Sequence, residues 1–479
     1  MAKNRIVKNY IYNVFYQILV LLTPLITTPY VSRVLGTAGV GEYSYTQSIA
    51  TYFVLMGTVG SSLYGQREVA YVQNDAEARS RIFFELVILR AVTVAIALIP
   101  YILIFACGDS YSLLYTILIF EIVAAAFDIS WFFQGMENFA GVVVRNTIIK
   151  IIAIAATFIF VKDSGDVPLY TVCMTFPTLI GNMSLWPYMR NYVHRVHLSA
   201  GDVLIHIKPL LILFVPQIAV EIYAVLDRTM IGALTGNVDE VGLYTQAQKI
   251  IKIILKLVTS LGTVMLPAMS AAFVNNEKEK IQRNIGLSIQ YVGLSGFPLM
   301  FGILAVSDIF VPLFFGSGFE KVSLLMNIIS PIVIFIGLSN VLGLQYLLPV
   351  KKQKEYTVSV FSGMVINIIF NILLIPKFLS IGASIASVAA EFTVFAVQLL
   401  FVRKELKVLK PLAGAFKYCL YGMVMYGVIY FVKGYFEKNW FSLIILCLIG
   451  AIIYFIILLI TRDKLCRLLL KKLVNRRKA

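Results

Sequence analysis

Lys249, Lys252 and Lys256 recur at i, i+3 and i+7 inside an otherwise apolar segment from about Gly242 to Phe273, so they share one face of a helix long enough to cross a bilayer. A charged side chain at membrane depth costs several kcal/mol unless it meets water, a counter-charge or a ligand. Three on one stripe therefore predict an internal polar cavity, and Thr245 and Thr263 lengthen the stripe in both directions. The rival reading is that these lysines snorkel to an interface, which Lys249 alone could do. Lys256, about 20 Å along the span at 1.5 Å per residue, is too deep for that to be easy. Fixed ammonium groups in a partly dehydrated site attract an anion more strongly than they do in bulk water.

Four further cations could join them. Arg33 and Arg228 sit near the outer ends of the first and seventh apolar spans, where a guanidinium can clamp a phosphate bidentately. Helix-end snorkelling, or a salt bridge to Glu42 or Asp227, accounts for them equally well. Arg90 and Lys150 lie within the third and fifth spans, toward the cytoplasmic half, and could form an entry-side station for substrate. Glu85, four residues from Arg81, reads as a helix-surface pair. The acids Glu121 and Asp128 on the fourth span, Glu221 and Asp227 on the seventh and Glu391 on the twelfth are expected to be buried. Most should neutralise intramembrane cations, because a pair costs less than an isolated charge; coupling to an ion or proton is the alternative. His194, His197 and His206 fall in the loop after the sixth span, and an HxxH without a neighbouring carboxylate or thiol does not make a zinc site. No metal, cofactor or catalytic residue is expected.

The chain that carries these groups is 59% hydrophobic and only 14% charged over 479 residues, with a mean hydropathy of +0.85, the balance of an integral membrane protein. Long apolar runs without period-two alternation mean helices and exclude a barrel, so the expected fold class is all-α with about fourteen spans. Of the 41 Lys and Arg, about 29 fall on the side of the N-terminus and about 6 on the other, which puts both termini in the cytoplasm. The basic excess is thus a topology signal, and nucleic acid is not an expected partner. Lys3, Arg5 and Lys8 precede an apolar run too long for a signal-peptide core and mark a retained first helix. The basic run from Arg462 to Lys478 reads as an anchor to anionic membrane lipids. Five scattered cysteines, with no CxxC pair, support neither a disulfide framework nor a metal site.

One repeat stands out. Val40-Gly41-Glu42-Tyr43-Ser44-Tyr45-Thr46-Gln47, after the first span, is echoed after the seventh by Val241-Gly242-Leu243-Tyr244-Thr245-Gln246-Ala247-Gln248, and upstream Arg33-Val34-Leu35-Gly36 matches Arg228-Thr229-Met230-Ile231-Gly232. An even number of spans separates the copies, so both halves enter the membrane in the same direction and should be related by an axis along its normal. The expected organisation is a six-helix lobe over 1–190, a cytoplasmic linker over 191–208, a pseudo-symmetric six-helix lobe over 209–402, two additional spans over 403–461 and a basic cytoplasmic tail over 462–479. Pro24, Pro29, Pro216, Pro267 and Pro349 are expected to kink spans.

The first-span ending Thr28-Pro29-Tyr30-Val31-Ser32-Arg33-Val34-Leu35-Gly36, followed by Gly39-Val40-Gly41-Glu42-Tyr43 and set in the fourteen-span plan, resembles the polysaccharide flippases of the Wzx type. Their superfamily also holds the MATE multidrug extruders and the lipid II flippases. The resemblance covers the whole chain in plan, with its motif content in the first two and the seventh and eighth spans. It implies a V-shaped pair of lobes, a cationic central cavity and alternating access. The implied cargo is an undecaprenyl-pyrophosphate-linked oligosaccharide, moved across the bacterial cytoplasmic membrane for capsule, exopolysaccharide or O-antigen assembly. Membrane lipids and polysaccharide-assembly proteins are the implied partners. A pyrophosphate and its sugars must cross about 30 Å of hydrocarbon, which they will not do without a polar route. The same-fold alternative is a multidrug extruder, which a cationic cavity disfavours because it repels cationic drugs. The different-class alternative is a polytopic enzyme of polysaccharide assembly, for which there is no GxxxxGK[ST], HExxH or GxSxG motif and no large extramembrane domain.

Overall fold

A computed structural model describes the backbone of residues 2–108 and 110–468 and, over most of that range from Leu19 onward, the side chains. The side chains of Lys3, Arg5, Lys8, Pro216 and Thr263, and the basic tail beyond Leu468, lie outside the described residues. Among the described residues every regular element is a helix, as membrane depth requires, since each peptide group must then be bonded within its own segment. The chain divides into two compact units, Met1–Gly242 and Leu243–Ala479.

The first unit contains α1 (Ala2–Thr58), α2 (Ser61–Tyr71), α3 (Ala76–Tyr101), α4 (Ser112–Phe127), α5 (Ser130–Gly135), α6 (Phe139–Phe160), α7 (Val167–Met183), α8 (Ala200–Leu204), α9 (Ile207–Thr235) and the start of α10 (Val238–Val274). α1 is two helices end to end: Gly36, at φ 68° and ψ −172°, breaks the run between the first two expected spans. Glycine takes that backbone without the steric cost a Cβ would bring. Asp75 starts α3 by accepting from the backbone N–H groups of Glu77 and Ala78, each at 3.0 Å, and Ser199 with Asp202 forms a reciprocal capping box at α8. Phe83, Leu86, Trp131, Phe132 and Leu210 form one buried cluster that joins α3, α5 and the first turn of α9.

The repeat has a direct structural counterpart within this unit. A Cβ on Gly41 would lie 1.8 Å from the carbonyl oxygen of Val238, and one on Gly242 would lie 2.2 Å from that of Thr37. The relation is reciprocal: each glycine meets the carbonyl three residues before the other's neighbour and four before the other itself, as a local two-fold axis requires. The Thr37 hydroxyl also donates to the Asp239 carboxylate across the crossing. The two backbones pass too closely for any side chain, which is why glycine stands at both positions.

The second unit holds the rest of α10 with α11 (Lys278–Phe315), α12 (Lys321–Ile329), α13 (Ile332–Ser339), α14 (Gln353–Phe378), α15 (Ser380–Val402), α16 (Leu409–Val432) and α17 (Trp440–Ile460). α13 runs on into a π-helical stretch, Asn340–Leu347, and Leu379 turns the chain from α14 into α15 at φ 55°. Asn439 caps α17 by accepting from the Ser442 N–H at 2.8 Å.

By length and hydropathy, ten described helices can cross a membrane, or eleven with α10, which bends by 40° between Ser260 and Met265, taken as one; fourteen spans are not confirmed. Two of the sources are physical. The stretch Leu19–Tyr71 is continuous across the Gly36 break, where the apolar pattern marks two spans, and α7 is only 17 residues long. Pro267 lies just past the α10 bend. Pro349, expected to kink a span, instead sits in the turn after Leu347, where its missing N–H disturbs no helix ladder.

Candidate functional site

In the first unit the charges named from the sequence are largely engaged by neighbours. Arg90 on α3 is 4% exposed; its Nη2 lies 3.9 Å from Asp128 Oδ2 and its Nη1 donates to the Ser62 hydroxyl at 3.2 Å. Asp128 stands at the C-terminal end of α4, and its Oδ1 accepts from the Ser130 N–H at 3.0 Å, where α5 begins. Glu121 accepts from Gln47 Nε2 at 3.3 Å. Arg228 on α9 is half-buried and within electrostatic range of Glu121 and Tyr43. The adjacent Asp227 is buried, and the Thr229 hydroxyl meets Ser48 Oγ at 2.9 Å and Tyr52 Oη at 3.0 Å. α4 and α9 thus bring Arg228 within electrostatic range of Glu121, more than a hundred positions earlier in the chain. Lys150 on α6 is half-buried and Arg33 is exposed. Glu221, expected to be buried, is exposed on α9. An apolar run sets a residue's depth in the membrane and says nothing about which side of the helix a neighbour covers.

Glu85 corrects a second expectation. It is 4% exposed, and its Oε2 lies 2.7 Å from His206 Nε2, whose Nδ1 lies 2.9 Å from Tyr64 Oη. Arg81, its expected surface partner, is 3.9 Å away. The buried Tyr64–His206–Glu85 chain joins residues more than a hundred positions apart, so no local pattern announces it.

In the second unit Lys249 is half-buried, whereas Lys252 and Lys256 are exposed on α10, which bends just beyond them. One turn earlier, Tyr244 Oη pairs with Ser387 Oγ at 2.8 Å and accepts from Gln248 Nε2 at 2.7 Å. Glu391 on α15 is half-buried, within electrostatic range of Tyr356. A groove of about 540 Å³ runs among α10, α11, α16 and α17, lined by Ile250, Ile254, Leu294, Met425, Ile429 and Tyr454 among others. At the helix ends, burial would raise the carboxyl groups of Glu405 and Asp463. Hydrogen bonds from Lys352 and Tyr346 to Glu405, and from Lys417, Tyr418 and the Cys466 N–H to Asp463, hold both below the usual carboxylate range.

This arrangement offers a cationic helix face in one unit and a network of paired charges in the other. Residues 6–273 match the family described as "Polysaccharide biosynthesis protein". The chain belongs to that family. It is 24% identical over 391 residues to a protein of Escherichia coli (strain K12) named "Putative O-antigen transporter", covering 80% of this chain and 93% of that one. It is 25% identical over 288 residues to the lipid II flippase MurJ of Bacillus subtilis (strain 168), covering 53% of each. Among solved structures, the inward closed conformation of lipid II flippase MurJ superposes with a TM-score of 0.76 at 17% identity, over 95% of this chain and 99% of that one. An inward-facing multidrug resistance MATE transporter of the MOP superfamily superposes with a TM-score of 0.60 at 12% identity, over 81% and 99%. The family member is therefore a multi-pass membrane protein of the Wzx type, with the MurJ and MATE fold. The resemblance seen in Thr28 to Tyr43 agrees with this family and this fold.

Proposed function

We propose that this protein flips undecaprenyl-pyrophosphate-linked oligosaccharide repeat units across the bacterial cytoplasmic membrane, supplying capsule, exopolysaccharide or O-antigen assembly. The observation that carries the substrate class is the pair of exposed ammonium groups, Lys252 and Lys256, one turn apart on an apolar helix, with Lys249 on the same face. A pyrophosphate desolvated on its way through the membrane needs fixed counter-charge there. Arg33, Arg228, Arg90 and Lys150 are secondary candidates for contact with it, and Glu121, Asp128, Glu221, Asp227 and Glu391 for charge pairing or ion coupling. The apolar groove among α10, α11, α16 and α17, which Ile250 and Ile254 line from the side of α10 turned away from the lysines, gives a prenyl tail an apolar place on the same unit. Both termini lie in the cytoplasm in this reading, and polysaccharide-assembly proteins receive the cargo on the far side. No bond is made or broken. Binding shifts a population between inward-open and outward-open states, and net export requires removal of product or an ion gradient. In cells deleted for the gene, Lys252→Ala with Lys256→Ala should reduce surface polysaccharide by at least about tenfold, the effect of losing even one of the two ion contacts at about 1.4 kcal/mol per decade, at unchanged protein level. Wild-type export by the double variant would remove the basis for this assignment.

A further inference from the structure

α9 is the first helix of the second sequence repeat, since Arg228 to Gly232 match the Arg33 to Gly36 segment at the end of the first span, yet it packs as part of the first unit. Two polar fastenings hold it there. Thr229, near its C-terminal end, meets Ser48 and Tyr52. At its N-terminal end His206, the residue just before the first turn, is held between Tyr64 of α2 and Glu85 of α3. About 34 Å of helix separates the two fastenings at 1.5 Å per residue, so α9 is pinned across the full hydrocarbon thickness. All three members of the His206 chain are under 9% exposed. A buried polar chain is costly unless satisfied, and at the end of a helix that the repeat assigns to the other half it adds a polar fastening to the core contact that Leu210 makes one turn later.

We propose that His206 is a positioning residue, a proton-strengthened latch that docks the N-terminal end of α9 on α2 and α3 and is released when α9 moves during the transport cycle. A neutral imidazole protonated at Nε2 donates to the Glu85 carboxylate while Nδ1 accepts from the Tyr64 hydroxyl. A proton taken up at Nδ1 makes the ring a donor on both sides, and the Tyr64 hydroxyl, able to act either way, turns from donor to acceptor. No contact is lost, and a neutral hydrogen bond becomes a charge-assisted one. The charged groups around the chain are Arg67 and Glu68 of α2, with the Arg67 guanidinium 5.3 Å from the Tyr64 ring centre and bonded to Glu68. From α3 Arg81 faces Glu85, and from α8 Asp202 lies in electrostatic range of Arg81. Lys208 follows two residues later on α9. Proton uptake at Nδ1 therefore tightens the latch, and acidification of the compartment bathing it favours the docked arrangement. This needs only that the protein change conformation, whatever its cargo.

The test is a distance measurement between spin labels on the full-length protein in lipid nanodiscs. The labels are carried on Tyr71→Cys and Ile205→Cys, both at exposed positions, with the exposed Cys107 and Cys447 replaced by Ser. In the otherwise wild-type chain the ratio of docked to undocked distances should rise by about fivefold from pH 8 to pH 5.5, the change expected when a neutral hydrogen bond becomes charge-assisted. His206→Gln, which keeps a neutral donor and acceptor, should hold a docked population that does not respond to pH. His206→Ala should favour the undocked distance at every pH. A distance distribution that does not respond to pH in the wild-type chain, or a His206→Ala chain that keeps the wild-type response, overturns the proposal. Neither result bears on which lipid is carried, which the export assay decides.

Discussion

Arg90 of α3 and Lys252 of α10 are both cations on apolar helices, and the structure treats them in opposite ways. Arg90 is 4% exposed, held by Asp128 and Ser62, and Glu85, in the same unit, is closed in by His206. Lys252 and Lys256 are exposed along one side of their helix. A charge buried inside the bundle is tied to one conformation, whereas an exposed charge on a membrane helix stays within reach of water or a ligand. Sequence position alone does not separate the two kinds, because both sit in apolar runs of similar length.

The comparison breaks most sharply on stability. Arg90→Ala strands Asp128 and should lower unfolding stability by about 2–3 kcal/mol, seen as an early thermal transition in detergent. Lys252→Ala with Lys256→Ala should stay within about 0.5 kcal/mol of wild type. Equal losses from both would mean that the lysines are structural too. Next in size is the backbone crossing. Gly242→Ala puts a methyl against the Thr37 carbonyl and should cost about 2 kcal/mol through overpacking, with Gly41→Ala similar because the contact is reciprocal; a fully stable, transport-competent Gly242→Ala chain would show that the two helices can part without penalty. The smallest effect is at Asp463. Its carboxyl is held below the usual range, so its stabilising contribution is present above the ordinary carboxylate value near pH 4 and is lost as pH falls through the lower folded value. Acid unfolding below about pH 4 should be shallower in Asp463→Asn, by about 1 kcal/mol. An unchanged acid limb would separate Asp463 from that transition.

Much of this architecture was legible because a bilayer is a severe solvent. Apolar runs had to be helices, and the lysine spacing at 249, 252 and 256 had to place all three on one face. The glycines of the repeat were visible as a pattern, but the reason for them, two backbones in reciprocal contact at Gly41 and Gly242, needed coordinates. The Glu85–His206 contact links two elements far apart in the chain, and a lone histidine in a polar linker carries no sign that it folds back into an aromatic cluster. Glu221 was misjudged because depth in the membrane was taken for burial in the protein. Asp128 lies inside the apolar stretch Ser112–Gly135, as its sequence position indicated; what needed coordinates is that α4 ends there and α5 begins, so that its carboxylate receives the Ser130 N–H as well as facing Arg90.

The central claim, that the α10 lysines hold an anionic headgroup, is tested most directly by binding. Purified protein in nanodiscs is titrated with an undecaprenyl-pyrophosphate-linked oligosaccharide, comparing wild type with the Lys252→Gln, Lys256→Gln chain and with the Lys252→Arg, Lys256→Arg chain. The account predicts that the glutamine pair weakens binding by about a hundredfold, two charge contacts at about 1.4 kcal/mol each. The arginine pair should retain most of the affinity, and added salt should weaken wild type more than the glutamine pair. Equal affinity in all three chains, with no difference in salt response, would contradict it.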